Sequence, residues 1–264
     1  MTPTRVQTHL QPHPPLAATP RTPHDRLVDP QQLRFALTLA ALHTATCFTL
    51  AMLFNWMARR GFARDRQVGP GREPNPALNR SATVESLISQ VLFALLCYFA
   101  VYPLWVMTSG GMNAPWHGVF MMLLHLVAFA LIQDTIFYWS HRTLHTRWLF
   151  KHIHAKHHRF RFIRPVVAEY AHPVENLVNF AAFFAGPVLL GTPWITLQVW
   201  IVLRMIETLE AHSGYRFSAI SDRHSFHHLY ATKGVYGSFV SPWDWLMGTD
   251  REWRKSRRSE KLSA

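Results

Sequence analysis

Residues 116–158 read WHGVFMMLLHLVAFALIQDTIFYWSHRTLHTRWLFKHIHAKHH, and this stretch decides the fold. Its first half, residues 116–139, is almost wholly apolar and long enough to cross a bilayer, which takes roughly 20 residues. Histidines in an HxxxH and then an HxxHH pattern follow at once: His141, His145, His154, His157 and His158. The stretch therefore predicts a membrane helix that leads into a histidine cluster.

Four other apolar stretches indicate a membrane protein. They comprise residues 35–57, 84–107, 177–190 and 194–209. The first two are long enough to span a bilayer, whereas the last two are short and predict a hairpin that crosses obliquely or dips partway in. Since strand signals are scarce, we expect an all-α integral membrane bundle of about four to five membrane helices.

The charge distribution predicts on which side of the membrane the histidines lie. The formal net charge is +12, and basic residues concentrate in segments 59–80, 141–172 and 204–264. The positive-inside rule places these segments on the cytoplasmic side, in the endoplasmic reticulum of a eukaryote or the inner membrane of a bacterium. Arginines before residue 35 fit this rule only if the first apolar stretch lies in the interface. No nucleic-acid motif accompanies the basic residues, so a nucleic-acid partner is set aside.

A second HxxHH pattern follows the fifth apolar stretch and consists of His224, His227 and His228. On a helix, residues i and i+4 share a face and i+3 lies beside them, so the histidines of one pattern can meet at one metal. Adjacent histidines diverge by about 100°, which lets one HxxHH pattern offer ligands to two metals. Eight histidines in this arrangement suit a dinuclear centre better than a single ion.

Two isolated histidines and several carboxylates are further candidates. His212 follows the fifth apolar stretch at the same predicted membrane face and is expected to be a ligand. His172 is either a ligand or a hydrogen-bonded structural residue. Metal-bound histidines usually donate their second N–H to a carboxylate, a backbone carbonyl or water. The carboxylates considered as such partners, or as additional ligands, are Asp134, Glu169, Glu175, Glu207, Glu210 and Asp244.

The ligand chemistry favours iron. Imidazole suits iron, zinc, copper and nickel. Structural zinc sites are usually closed tetrahedra, often with cysteine, but Cys47 and Cys97 are both far from the histidines in sequence, and the HExxH pattern of zinc proteases is absent. Two irons that work on O₂ therefore account for the pattern. The alternatives are a zinc-binding membrane protein without catalytic activity and a scaffold with incidental histidines.

The order HxxxH, HxxHH, HxxHH after hydrophobic spans resembles the fatty acid hydroxylase and sterol desaturase superfamily, over residues from about 134 to 253. Within that superfamily, three flanking segments are most similar to C-4 methylsterol oxidases: Glu169-Tyr-Ala-His-Pro-Val-Glu175, Arg204-Met-Ile-Glu-Thr-Leu-Glu-Ala-His-Ser-Gly-Tyr215 and Asp244-Trp-Leu-Met-Gly-Thr-Asp250. The chain departs from that pattern at Val235, where the family often has Asn, and at Arg216-Phe-Ser-Ala, where a Pro-Trp pair is common.

The resemblance implies a ligand set and a reaction. The two irons would be held by His141, His145, His154, His157, His158, His212, His224, His227 and His228. The reaction would be stepwise oxidation of a C-4 methyl group, on a sterol that enters from the bilayer. It would use O₂ and electrons from NAD(P)H, delivered by a cytochrome b5-like protein or by a ferredoxin and its reductase. The nearest alternative is hydroxylation or desaturation of another lipid: a fatty acid, a carotenoid or a sterol at C-5.

These interpretations divide the chain into four parts. They are a disordered tail (1–30), membrane helices (31–130), a catalytic domain of the fatty acid hydroxylase type (131–253) that includes the membrane hairpin 177–209, and a basic tail (254–264). The histidine-rich di-metal domain is expected on the cytoplasmic face of the bundle.

Overall fold

A computed structural model describes residues 29–69 and 75–263 of the chain. These residues form helices and loops without a β-strand, so the predicted all-α fold is confirmed. The predicted disordered tail lies almost wholly outside the described residues. The α-helices are α1 (Pro30–Arg59), α2 (Pro76–Leu96), α3 (Tyr102–Ser109), α4 (Gly118–Leu144), α5 (Arg147–His152), α6 (Pro173–Leu189), α7 (Trp194–Ala211), α8 (Ala219–Leu229), α9 (Pro242–Met247) and α10 (Arg251–Ser263).

Three helical segments are long and apolar enough to cross a membrane: α1, the continuous helix of α2 and α3, and α4. They are the three stretches predicted to span, so the sequence identified them correctly by length and composition. Phe99 and Phe120 on these helices are 71% and 73% exposed, as expected for surfaces that face lipid. A π-helical turn, Cys97–Val101, joins α2 to α3 and lets the helix continue through Pro103, which has no N–H to donate.

The hairpin of α6 and α7 reaches the far end of these membrane helices. At its tip, Trp105 Nε1 donates to Thr192 O at 2.9 Å. A Cβ on Gly191 would lie 2.8 Å from the carbonyl carbon of Thr108, so glycine permits the close approach. Because Thr108 lies at the end of α3, the hairpin extends along the full length of the bundle.

α1 runs along the same depth as the hairpin. Near the tip, the ring of Phe35 packs on Trp105 and Trp194, with centroid distances of 5.1 and 5.0 Å. At the other end, Phe54 packs on Tyr215, which follows α7. α1 is therefore a helix of the bundle and does not lie flat in the interface, and its first residue is at the end opposite the histidines.

The segments that carry the histidine patterns meet at the end of the bundle away from the hairpin tip. They are the end of α4, a 3₁₀-helix (His154–Arg159), the end of α7, and α8. The residues predicted as a basic tail continue α10 as a helix, in which Arg254 pairs with the carboxylate of Asp250 at 2.7 Å.

Candidate metal centre

The nine histidines expected to bind metal lie together in two groups. Group A consists of His141, His145, His154, His158 and His227. Group B consists of His157, His212, His224 and His228. In each group, one ring nitrogen of every member lies within 4.8 Å of the corresponding nitrogens of all the others. One cation could therefore contact all members of a group.

Each HxxHH pattern contributes to both groups. The first and last histidines of a pattern, at i and i+4, belong to one group, whereas the histidine at i+3 (His157 or His227) belongs to the other. The second pattern lies on α8, where residues four apart share a face. The first pattern lies on the 3₁₀-helix instead of an α-helix. The predicted divergence of neighbouring histidines thus places ligand candidates from two short segments in two groups.

All nine rings direct Nε2 toward the middle of their group. Most outward Nδ1 atoms have an acceptor: Tyr236 O for His141 (2.9 Å), Glu175 Oε1 for His154 (2.8 Å), Tyr170 O for His157 (3.0 Å), Thr208 O for His212 (2.8 Å), Gly234 O for His227 (3.0 Å) and Phe160 O for His228 (3.1 Å). A carbonyl oxygen only accepts, so five of these rings carry their proton on Nδ1 and present a lone pair at Nε2.

Without a cation between them, these lone pairs would repel each other. The Nε2 atoms of His157 and His228 are 3.1 Å apart, and those of His157 and His212 are 3.5 Å apart. Burial lowers the pKa of His157 and of His227 to about 4 and the pKa of His145 to about 2, so the rings are neutral at pH 7. The donor set therefore fits a bound cation of a metal that prefers imidazole.

The distances between neighbouring Nε2 atoms can be compared with those expected for nitrogens that bind one metal ion. Two nitrogens ~2.1 Å from a metal lie ~3.0 Å apart at right angles and ~3.4 Å apart in a tetrahedron. In group A the distances between successive Nε2 atoms are 3.1, 3.0, 3.1 and 3.2 Å, in the order His141, His154, His158, His227, His145. In group B the four atoms close a ring with sides of 3.1, 3.2, 2.9 and 3.5 Å. Neighbouring Nε2 atoms in both groups are therefore about as far apart as nitrogens that share one metal ion.

A loop between α8 and α9 supplies two acceptors for group A. These are the carbonyls of Gly234 and Tyr236. Asp244 is completely buried and holds the loop by accepting from the N–H groups of Tyr236 and Gly237 at 2.9 and 2.7 Å. Gly234 has a φ of 83°, and a Cβ there would overlap the carbonyl oxygen of Thr249. Asp244 therefore positions the acceptors of two histidines and does not itself face a metal group.

Three more of the residues that the sequence suggested as ligands or as partners of ligands take different positions. Glu175 contacts His154 of group A through Oε1. Asp134 is completely buried, and its carboxylate accepts from three successive backbone N–H groups, those of residues 239–241, at 2.7, 2.8 and 2.9 Å. His172 caps the N-terminus of α6 and lies outside both groups.

A cavity opens beside both groups. Its lining includes His141 and His154 from group A, and His157, His212 and His224 from group B. Apolar and polar side chains complete the wall, among them Phe137, Phe180, Phe183, His43, Glu169, Asn179, Arg204 and Glu207. The arrangement allows a small part of an apolar molecule to lie against both metal groups at once.

His43, Asn179 and Arg204 in this lining were not predicted as part of the site. His43 lies in the middle of the first apolar stretch, and Arg204 lies near the end of the fifth. An ionisable residue inside a membrane segment is itself a signal of function. His43 contacts Glu169 from a distant segment, whereas Arg204 donates to Glu207 on its own helix. Glu210, another candidate, accepts from Ser218 at 2.9 Å.

Comparison with known proteins gives one matching family and two kinds of relative. Residues 126–249 match the family described as fatty acid hydroxylase. Methylsterol monooxygenase 2-2 of Arabidopsis thaliana is 33% identical over 231 residues, which cover 81% of this chain and 85% of that protein. Methylsterol monooxygenase 1 of Danio rerio is 40% identical over 136 residues, 48% of this chain and 46% of that protein. No solved structure matches the chain significantly.

A second kind of relative matches only the histidine-bearing part. Very-long-chain aldehyde decarbonylase GL1-8 of Oryza sativa subsp. indica is 44% identical over 144 residues, 50% of this chain and 54% of that protein. The chain thus spans about half the length of these decarbonylases. The histidine patterns, the matched family region and the long alignment with the Arabidopsis protein agree, and the chain belongs to the fatty acid hydroxylase family.

Proposed function

We propose that this protein is an O₂-dependent di-iron oxygenase that oxidises a membrane lipid, and that its substrate is a C-4 methylsterol. The observation that carries the proposal is the convergence of nine Nε2 atoms in two groups beside one cavity. The sterol is supported by the alignment with methylsterol monooxygenase 2-2, which extends over the membrane helices as well as the histidine patterns.

In this proposal each group holds one iron through its Nε2 atoms. When bound, the two irons would supply the activation of O₂ and the oxidation of an unactivated C–H bond. The chain itself orients six of the nine ligand rings. Glu175 or a backbone carbonyl accepts from Nδ1 of each of these six, which sets the tautomer and direction of the ring. Phe137, Phe180 and Phe183 give the cavity an apolar wall that favours a lipid over water.

The reaction needs electrons that the chain does not supply. Each hydroxylation uses one O₂, two electrons and two protons, and it releases one water together with the hydroxylated lipid. The sequence has no nucleotide-binding fingerprint. The electrons are therefore assigned to NAD(P)H, delivered through a separate cytochrome b5-like protein or a ferredoxin and its reductase.

The membrane arrangement follows from the same charge argument as before. Residues 59–69, 75–80 and 141–172 lie at the histidine end of the bundle, which the positive-inside rule places in the cytoplasm. Arg34, near the opposite end of α1, does not follow this rule. A soluble electron carrier would reach the metal groups from that side. The lipid would enter from the bilayer into the catalytic part, residues 131–253.

Other functions use the same centre differently. The decarbonylase GL1-8 supports a very-long-chain aldehyde as a second candidate substrate, although its likeness covers only half of the chain. A fatty acid, a carotenoid or C-5 of a sterol would require the same metals and another product. A zinc-binding protein without catalytic activity would retain its metal and form no oxygen-dependent product.

Complementation of a yeast strain that lacks its own C-4 sterol methyl oxidase tests the proposal. We expect growth and the loss of 4,4-dimethylsterols with the wild-type chain, and neither with His157→Ala expressed at the same level. Metal analysis of the purified wild-type chain should give two irons. Accumulation of 4,4-dimethylsterols, despite expression, two irons and a co-expressed electron donor, would refute the sterol as substrate. Absence of iron would refute the oxygenase.

A further inference from the structure

Three polar side chains form a buried cluster in the wall of the cavity. His43 on α1, Gln90 on α2 and Glu169 before α6 are only 2%, 8% and 7% exposed. His43 Nδ1 lies 2.8 Å from Gln90 Oε1, and Gln90 Nε2 donates to Glu169 Oε2 at 2.6 Å. His43 Nε2 lies 3.2 Å from Glu169 Oε1, which closes the cluster into a ring. Three distant parts of the chain thus bring polar groups to one place.

Such a cluster is costly inside a membrane bundle. His43 and Gln90 lie within helices that are long and apolar enough to span, and polar side chains at such positions are rare unless they serve a function. The ring of His43 stacks on Phe93 at a centroid distance of 4.0 Å, so its surroundings are otherwise apolar. Helix packing alone does not require this cluster, since apolar side chains would fill the same space.

The cluster faces the same cavity as the metal groups. His43 and Glu169 both line the cavity together with histidines of group A and group B. Glu169 directly precedes Tyr170, whose carbonyl holds His157 of group B. A ligand group bound at the cluster would therefore lie in the same cavity as the reacting carbon.

We propose that His43 and Glu169, which Gln90 positions, bind a hydroxyl group of the lipid substrate and thereby hold a neighbouring carbon of that lipid at the metal groups. The inference rests on the proposed function and narrows it to lipids that carry a hydroxyl close to the oxidised carbon. In a C-4 methylsterol the 3-hydroxyl stands on the carbon next to C-4. A saturated hydrocarbon chain has no such group.

The cluster has the capacity for this contact. Burial raises the pKa of Glu169 to about 8, so its carboxyl group is protonated at pH 7. Oε1 can donate its proton to Nε2 of His43, and Oε2 accepts from Gln90, so lone pairs remain on both oxygens. The side chain can therefore accept a hydrogen bond from a hydroxyl without losing its present partners. Asn179, another polar residue of the cavity wall, can complete the contact to the hydroxyl oxygen.

Competitive binding to the purified full-length chain tests the inference without turnover. A tritiated 3-hydroxy-4,4-dimethylsterol is displaced by its unlabelled form or by the matched 3-deoxy compound. We expect the deoxy compound to bind about 10- to 100-fold more weakly, because it leaves the buried polar groups of the cluster without a hydrogen-bond partner. Glu169→Leu should reduce this preference to less than about threefold. Glu252→Leu, the same change on an exposed residue of α10, should keep it.

Partitioning of a given competitor into the detergent is the same with the wild type and with each variant. A difference between variants in the binding preference therefore comes from the protein. Melting temperature and metal content confirm that Glu169→Leu is folded, and the preference of the wild type is informative without any variant. Equal binding of the two sterols by the wild type, or binding of neither, overturns the inference. Oxidation of the sterol without a binding preference overturns it while leaving the proposed function intact. A binding preference without any oxygen-dependent product supports the hydroxyl contact and refutes the proposed function.

Discussion

Replacing Gly234 with alanine should weaken group A and leave group B intact. Gly234 has a φ of 83°, and its carbonyl holds Nδ1 of His227. An L-residue in this conformation costs about 1–2 kcal/mol. The new Cβ would also overlap the carbonyl oxygen of Thr249 and lie 3.1 Å from its carbon, so the backbone must move. Overpacking of this kind costs about 1–3 kcal/mol, which gives a total of about 2–5 kcal/mol.

The displaced loop would carry the carbonyls of Gly234 and Tyr236 away from two histidines of group A. Loss of such partners typically lowers metal affinity about 10- to 100-fold. Metal titration of the purified chain should therefore show one weakened site and one unchanged site. Gly61→Ala is the control, since Gly61 has a φ of 64° and nothing within 4 Å of an added Cβ. Equal metal affinities in the two variants would refute the reasoning.

Five further substitutions test the division into two groups and the residues that support it. His157→Ala and His158→Ala should each leave one metal ion per chain. Combined they should leave none, whereas His157→Ala with His228→Ala should still leave one, as measured by elemental analysis. Glu175→Gln should lower the metal affinity of group A about 10- to 100-fold in the same titration and spare group B, because the carboxylate on His154 is lost. Asp134→Asn should destabilise the fold by about 1.5–3 kcal/mol, because an amide nitrogen would face a backbone N–H; an unchanged melting curve would contradict this.

The membrane helices and the histidines were accessible from the sequence because both depend on local information. The hydropathy of a stretch and the spacing of residues within one turn are properties of neighbours in the chain. The depth of the hairpin was not accessible in this way. It depends on the contact of Gly191 with Thr108 and on the bond from Trp105 to Thr192, which join segments far apart in sequence.

The carboxylates show where spacing ceases to be informative. Asp134 lies seven residues before His141 on the same helix, and this spacing made it a candidate partner of a ligand. It binds the backbone at residues 239–241 instead, and Asp244 likewise binds backbone N–H groups. Among the six carboxylates suggested by the sequence, only Glu175 contacts a histidine ring of group A or group B. A carboxylate can satisfy backbone donors as well as histidines, and the choice between them is made by tertiary packing.

Val235 shows why a departure from the family pattern need not change the site. The residue has a φ of 66°, a conformation that Asn adopts readily and that costs a β-branched residue about 1–3 kcal/mol. Its side chain is only 2% exposed, and burying it contributes about 1.5–3 kcal/mol, which offsets the strain. Its N–H donates to Thr249 O at 3.1 Å, so the loop keeps its path whichever residue occupies the position. The function of this position is to present the carbonyls on either side of it, and replacing Asn with Val does not argue against a metal at group A.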